Sequence, residues 1–187
     1  AAEAVVSLPP GAPAVLDLLH SLREKSLLTR TVSGERLGML ESIRTFAAER
    51  LVESGQARAT AAKLGIWLIA RASAVRPGGG SIPEERANLR AALEHLVIGE
   101  PTPQERALAL GLVAAMDAPP ASDGLGPEEL ILAELALSRP CEVAPELGLR
   151  VKLALARSIE AAGRADDSER LLREVLDDAT RIGAVSY

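Results

Sequence analysis

The chain is poor in the residues that build metal, redox and stacking chemistry. Its single cysteine, Cys141, excludes an internal disulfide and a Cys-rich zinc site. Two histidines, His20 and His95, are too few for a histidine-based metal cluster. The three aromatic residues, Phe46, Trp67 and Tyr187, lie far apart along 187 residues, which argues against an aromatic platform for single-stranded nucleic acid. No apolar run reaches the ~20 residues that a membrane-spanning helix needs. The densest run, residues 64–70, ends at Arg71. The opening string Ala1-Ala2-Glu3-Ala4-Val5-Val6 lacks both Met and the basic start of a signal peptide, so the chain reads as an excised piece of a longer protein.

What is present describes a globular chain of one domain or two small ones. Hydrophobic residues make up 48% and charged residues 25%, which separates it from disordered sequences. The net charge of -5 argues against general nucleic-acid binding. That charge is unevenly placed. Residues 1–60 hold seven basic and seven acidic residues, so the whole excess of acid lies in residues 61–187.

Two segments follow different periodicities. Residues 14–22 carry Val15, Leu16, Leu18, Leu19 and Leu22 at helical spacing. Residues 26–32 then tolerate a strand, Ser33-Gly34 makes a turn, and residues 36–40 return as a second strand. Helical spacing resumes with Leu40, Ile43, Phe46, Ala47 and Leu51, and Gly55 is placed to end that helix. Helix, short hairpin, helix is the tail of a winged-helix unit, here assigned to residues 1–56.

Residues 57–187 read as helix throughout. Ala61, Leu64, Leu68, Ala72 and Val75 form one stripe, closed by Pro77-Gly78-Gly79-Gly80. Ser81 and Glu84 offer a capping box ahead of Leu89, Leu93, Leu96 and Val97. Thr102-Pro103-Gln104-Glu105 is a stronger helix start, leading to Leu108, Leu112 and Met116. Pro127 opens a helix through Leu130, Ile131, Leu135 and Leu137, and Pro145 opens one with Val151, Leu155 and Ile159. Gly163 breaks the latter, and a last helix covers 166–181. Helix pairs joined by short breaks predict a solenoid. Residues 146–182 have the length of one tetratricopeptide repeat, with Ala156 and Ser168 as the small residues at the crossing and Leu155, Ile159, Leu172 and Val175 around them. Lys152 stands where that repeat usually has a large aromatic. Residues 104–138 form a degenerate copy with a long loop. The expected fold is therefore mainly α: a TPR-like superhelix of helical hairpins preceded by a truncated winged-helix unit with one short β-hairpin.

Three strings carry a resemblance. They are Leu16-x-x-Leu19-x-x-Leu22-x-x-Lys25-Ser26-Leu27-Leu28, then Met39-Leu40-Glu41-Ser42-Ile43-Arg44-Thr45-Phe46-Ala47-x-Glu49-Arg50-Leu51, and then Asn88-Leu89-Arg90-Ala91-Ala92-Leu93-Glu94. Together they resemble the region after the nucleotide-binding core in bacterial signal-transduction ATPases with numerous domains (STAND), relatives of the NB-ARC proteins. The resemblance spans residues 1–98 in order. It implies an ATPase core upstream, a winged helix, and repeats that contact protein or peptide partners in the cytoplasm. ATP or ADP would belong to the parent protein. No G-x-x-x-x-G-K-S/T string occurs here, so no cofactor site, metal site or catalytic residue is expected in this chain. The Met-His-Asp triplet with which NB-ARC relatives sense ADP is replaced by Met39-Leu40-Glu41, and leucine cannot make that phosphate contact.

The remaining candidates have plain explanations. The run of three glycines lacks a preceding strand and a following lysine, so it is an interhelical loop. The paired acids Glu84-Glu85, Glu128-Glu129 and Asp166-Asp167 sit at helix starts and suit the positive pole there. Arg23, Lys25, Arg30 and Arg36 define a basic edge beside the hairpin. The residues expected to contact the upstream ATPase are Arg23, Lys25, Arg36, Glu41 and Arg44. The alternative reading is a DNA-binding winged-helix transcription regulator with a helical dimerisation tail. A winged helix also normally has a further helix ahead of its first one here. Val5, Leu16 and Leu19 should then be covered by a homodimer contact or by the chain's own N-terminal arm.

Overall fold

The computed structural model describes residues 1–30, 36–75, 83–117 and 124–183. Among these the chain is mainly helical, with one small two-stranded sheet. It divides into two compact units, Ala1–Lys63 and Leu64–Tyr187.

The first unit holds α1 (Ala2–Val5), α2 (Val15–Glu24), β1 (Thr29–Arg30), β2 (Leu37–Gly38), α3 (Glu41–Glu53) and the start of α4 (Ala57–Val75). The strands are antiparallel and pair Thr29 with Gly38 and Arg30 with Leu37. They are shorter than the hairpin expected from sequence, whose Ser33-Gly34 turn lies outside the described residues. Gly55 follows the end of α3 at φ +70°, a left-handed conformation that glycine adopts without a Cβ penalty.

This unit buries little. Among its described residues only Leu28 and Ala61 are fully buried hydrophobic residues. On α3, Ile43, Ala47 and Leu51 are half-buried at i, i+4, i+8, as their spacing predicts. Leu40 and Phe46, expected on the same stripe, are each 58% exposed, and Phe46 is covered only by the guanidinium of Arg50 5.4 Å above its ring. The arm formed by α1 packs on α2, and Val5 and Leu19 are half-buried. Leu16 stays 58% exposed, so the arm gives only part of the expected cover.

The second unit carries the core. It comprises the rest of α4, then α5 (Arg86–Val97) after a single 3-10 turn at Pro83–Glu85, α6 (Pro103–Met116), α7 (Pro127–Leu137), α8 (Pro145–Ala161) and α9 (Ala165–Arg181). Ser81 and the three glycines before it lie outside the described residues. α5 begins without a side-chain cap. α6 begins as its sequence predicts. The Thr102 hydroxyl accepts from the Glu105 amide, and the Glu105 carboxylate accepts from the Thr102 amide at 2.7 Å.

Consecutive helices pack against each other from α5 to α9, and α5–α7 and α6–α8 also touch. Side-chain ties show the directions. Arg86 and Arg90 near the start of α5 bond Glu129 and Glu128 at the start of α7, while Arg139 beyond the end of α7 donates to the Val97 carbonyl at the end of α5 (2.9 Å). α5 and α7 therefore run parallel. Ser168 and Ala156 meet across the α8–α9 turn, and Lys152 reaches back to Asp178, so these two helices run antiparallel.

With one half-buried tryptophan as its only described aromatic, the core is filled by leucine and alanine in close contact. Leu68, Leu89, Leu93, Leu96, Leu112 and Leu155 are essentially inaccessible, and so are Ala92, Ala133, Ala154 and Ala156. Ala156 and Ser168 form the α8–α9 crossing that the sequence predicts: both are buried, and the Ser168 hydroxyl donates to the Ala156 carbonyl at 2.8 Å. The expected apolar stripe of α7 is rotated. Leu130, Ala133 and Ala136 are buried, whereas Ile131 is 65% exposed.

Two buried serines allow a test. Ser158 accepts from the Leu125 amide and donates to the Ala154 carbonyl, both at 2.9 Å. Ser158→Ala leaves the Leu125 N–H without a partner and is expected to cost ~1–3 kcal/mol. Ser168→Ala removes a donor whose acceptor is already inside a helix and is expected to cost ~1 kcal/mol or less. Urea unfolding of both variants checks the order, and a larger loss at Ser168 would refute it.

Candidate functional site

Two concave surfaces carry the polar groups of interest, one in each unit. In the first unit, α2 places Leu16, Leu19, His20 and Arg23 on one face, at i, i+3, i+4 and i+7. The strand register sets Arg30 opposite Leu37. These residues and Arg36 line a cleft of about 220 Å³. Among the described residues, neither Arg23 nor Arg30 has an ion-pair partner.

The structure thus brings together Arg23 and Arg36 of the residues expected to make an interdomain contact, and adds Arg30, His20 and three leucines. Lys25, which caps the end of α2, does not line the cleft. Glu41 and Arg44 do not line it either. They engage each other in a two-pronged pair in the first turn of α3, with Arg44 Nε to Glu41 Oε2 at 3.1 Å, and this pairing raises the arginine's already high pKa. Leu40, beside Glu41, is exposed. Leu16 and Leu37 could have been assigned to the cleft from sequence only by someone who already knew the hairpin register.

The second surface lies in the other unit. α5 and α7 pack directly, as do α6 and α8, but α7 and α9 leave a groove of about 430 Å³ between them. Leu155 and Ile159 of α8 form its floor, with Leu137 of α7 and Leu171 of α9 on the walls. The charged rim is internally neutralised. Arg164 bridges to Glu134 at 2.7 Å and to Asp167 at 2.9 Å, and Arg170 also bonds Asp167. The hydrogen bond from Arg164 is the main reason the Asp167 carboxyl lies below the usual carboxylate range.

Lys152 also lines this groove. Its burial disfavours the charged form, yet hydrogen bonds from Nζ to Asp178 and Glu174, both at 3.0 Å, outweigh that and raise its pKa. The same contact from Lys152 is the leading cause that holds Asp178 low. The α8–α9 seam is thus filled at this point by an aliphatic stem and a three-centre ion pair.

The paired acids turn out to be structural ties. Burial pushes the Glu129 carboxyl upward, but bonds from Arg86 (Nε to Oε1, 2.9 Å) and from the Gly126 amide (2.8 Å) bring it below its ordinary value. Glu85 is buried and accepts from Asn88 at 2.5 Å. Cys141 lies in the loop before α8, its thiol 3.5 Å from the Pro103 carbonyl. Among the described residues, no group of three or more His, Cys, Asp and Glu is arranged to hold a metal ion, and no helix is long and apolar enough to cross a membrane.

No family model, no curated protein and no solved structure matches this chain.

The depressed carboxyl groups make stability acid-sensitive. Asp178, Asp167 and Glu129 bind protons more weakly in the folded chain than in the unfolded one. Their contribution is therefore complete at neutral pH and is lost as pH falls through the carboxylate range. Lys152→Met keeps the stem volume and removes the partner of Asp178 and Glu174. The variant is expected to stay within ~1 kcal/mol of the parent at neutral pH and to lose stability less steeply toward acid. Urea midpoints across the acid range check this, and an unchanged slope would refute the assignment.

Proposed function

We propose that the chain is a non-catalytic adaptor segment of a cytoplasmic, multidomain signalling ATPase of the STAND type. Its helical hairpins bind a protein or peptide. Its first unit couples that binding to the nucleotide state of an ATPase domain, with ATP or ADP held by the parent and not by this chain. The reading is supported by the three ordered sequence strings and by the stack of paired helices that follows them. The observation that carries it is the α7–α9 groove. Its apolar walls, Leu137 and Leu171, are half-buried beside an inaccessible Leu155 and Ile159, and its rim charges already satisfy one another. Such a surface offers a partner side-chain burial and shape more than charge, as helical-repeat ligand surfaces do. If peptide binding and nucleotide state share one conformational equilibrium, each must shift the other by the same factor.

The DNA-binding reading competes only at the hairpin. Duplex DNA carries phosphate charge at close, regular spacing. Residues 1–60 hold as many acidic as basic residues, so the first unit presents no broad positive surface to a phosphate backbone. We therefore rank it second.

Panning the full chain against a displayed random-peptide library tests the adaptor reading. Enriched peptides should bind the parent chain and lose at least ~tenfold in affinity on the rim-and-wall double variant Arg170→Glu, Leu171→Arg. Peptides that bind that variant equally well, or no enrichment at all, would overturn the groove as the binding surface. A salt-sensitive shift of duplex DNA by the full chain would favour the regulator reading instead.

A further inference from the structure

We propose that the cleft of the first unit receives an acidic amphipathic helix of a protein partner, seating an apolar side chain on Leu16, Leu19 and Leu37 and its carboxylates on Arg23 and Arg30. This deepens the adaptor reading and rests on it, because it names the chemistry of the surface on which the first unit docks.

The charge of the cleft is the first argument. Many arginines of this chain are paired with carboxylates, among them Arg44 with Glu41, Arg50 with Glu53, Arg90 with Glu128, Arg157 with Asp117, Arg173 with Glu169 and Arg181 with Asp178. Among the described residues Arg23 and Arg30 have no such partner, although Asp17 and Glu24 stand on the same helix as Arg23. Two guanidinium groups at one opening provide planar donor forks suited to carboxylates.

The floor is the second argument. A simple anion would need only the arginines. Here Leu16 is 58% and Leu37 44% exposed beneath them. A volume of about 220 Å³ exceeds the ~150 Å³ that accommodates a benzene ring, so the cleft has room for a leucine or phenylalanine side chain. An occupant with both an apolar anchor and flanking carboxylates satisfies both features.

The third argument concerns the form of the occupant. Among the described residues β1 and β2 are two residues each, a short edge for an added strand. The wall of the cleft is the i, i+3, i+4, i+7 face of α2, a ridge that another helix packs against. A helix with leucines at i and i+4 flanked by glutamates matches that spacing.

Fluorescence anisotropy on the full chain tests this with a labelled helical peptide of that design. Three control peptides accompany it: one with lysine for glutamate, one with alanine for leucine, and one scrambled. The acidic leucine peptide should bind saturably and weaken as salt is raised. Binding should fall at least ~tenfold on Arg23→Glu with Arg30→Glu, and also on Leu16→Ser. All three positions are exposed, and circular dichroism checks that the helices survive. Unchanged affinity on these variants, equal binding of the alanine peptide, or displacement by inorganic phosphate or duplex DNA would overturn the proposal. If the acidic peptide fails while library peptides still select the α7–α9 groove, the cleft proposal falls and the adaptor reading stands. If it binds the cleft while the groove selects nothing, the cleft stands alone.

Discussion

The second unit depends on close approach between helix backbones. A core almost without aromatic rings has little side-chain volume to spend, so native packing density is reached only where helices cross at small residues. The α8–α9 pair shows the constraint most directly. Ala156 and Ser168 are both inaccessible, and the serine hydroxyl lies 2.8 Å from the opposing backbone carbonyl. Two glycines extend the same rule. A Cβ on Gly65 would lie 3.3 Å from the Leu108 side chain, and one on Gly111 would lie 2.7 Å from Ile69 Cδ1. Leu108 of α6 and Ile69 of α4 close over these two positions, which carry no side chain. A larger residue at any of them forces rearrangement that a leucine–alanine core absorbs poorly.

Close packing fixes distance but leaves register open, since leucine and alanine ridges fit in more than one alignment. The polar ties settle it. Arg86 joins the start of α5 to Glu129 and to the Gly124 carbonyl, so the loop residue, the α7 cap and α5 share one guanidinium. Ser158 holds the next residue, Leu125, through its backbone amide. Each such group is buried or half-buried and satisfied, which makes a slipped register costly rather than merely less favourable. The stack is therefore specified by a few hydrogen bonds at helix ends, and stabilised by the apolar surface between them.

This division explains what could be read from the sequence. Helix ends were legible because their chemistry is local. Thr102 with Glu105, Pro127, Pro145 and the left-handed Gly55 and Gly163 each act within a few residues of themselves. The Ala156–Ser168 crossing was legible because the two small residues fall where the tetratricopeptide pattern, which this segment resembles in length, places its helix crossing. The facing of α7 was not. Ile131 and Leu135 suggest one stripe, yet alanines 133 and 136 are turned inward with Leu130, and Ile131 is left 65% exposed. Tertiary fit outranked hydrophobicity there. The cleft of the first unit was half legible. Arg23 and Arg36 were picked out by charge, but Leu37 joins them through strand register, and Lys25, Glu41 and Arg44 are turned elsewhere by the end of α2 and by a helix-surface ion pair.

The two units spend their charged residues differently. In the second, Lys152 in the α8–α9 seam and Arg164 at the groove are each held by two carboxylates, so their fields are largely cancelled before any partner arrives. A surface neutralised in this way selects by shape. In the first unit, Arg23 and Arg30 keep their charge uncancelled above exposed leucines, and a surface of that kind selects by sign and accelerates encounter. In the adaptor we propose, the two kinds of surface would take chemically different partners. That separation is what an adaptor requires, and it follows here from which arginines were given a carboxylate within reach and which were not.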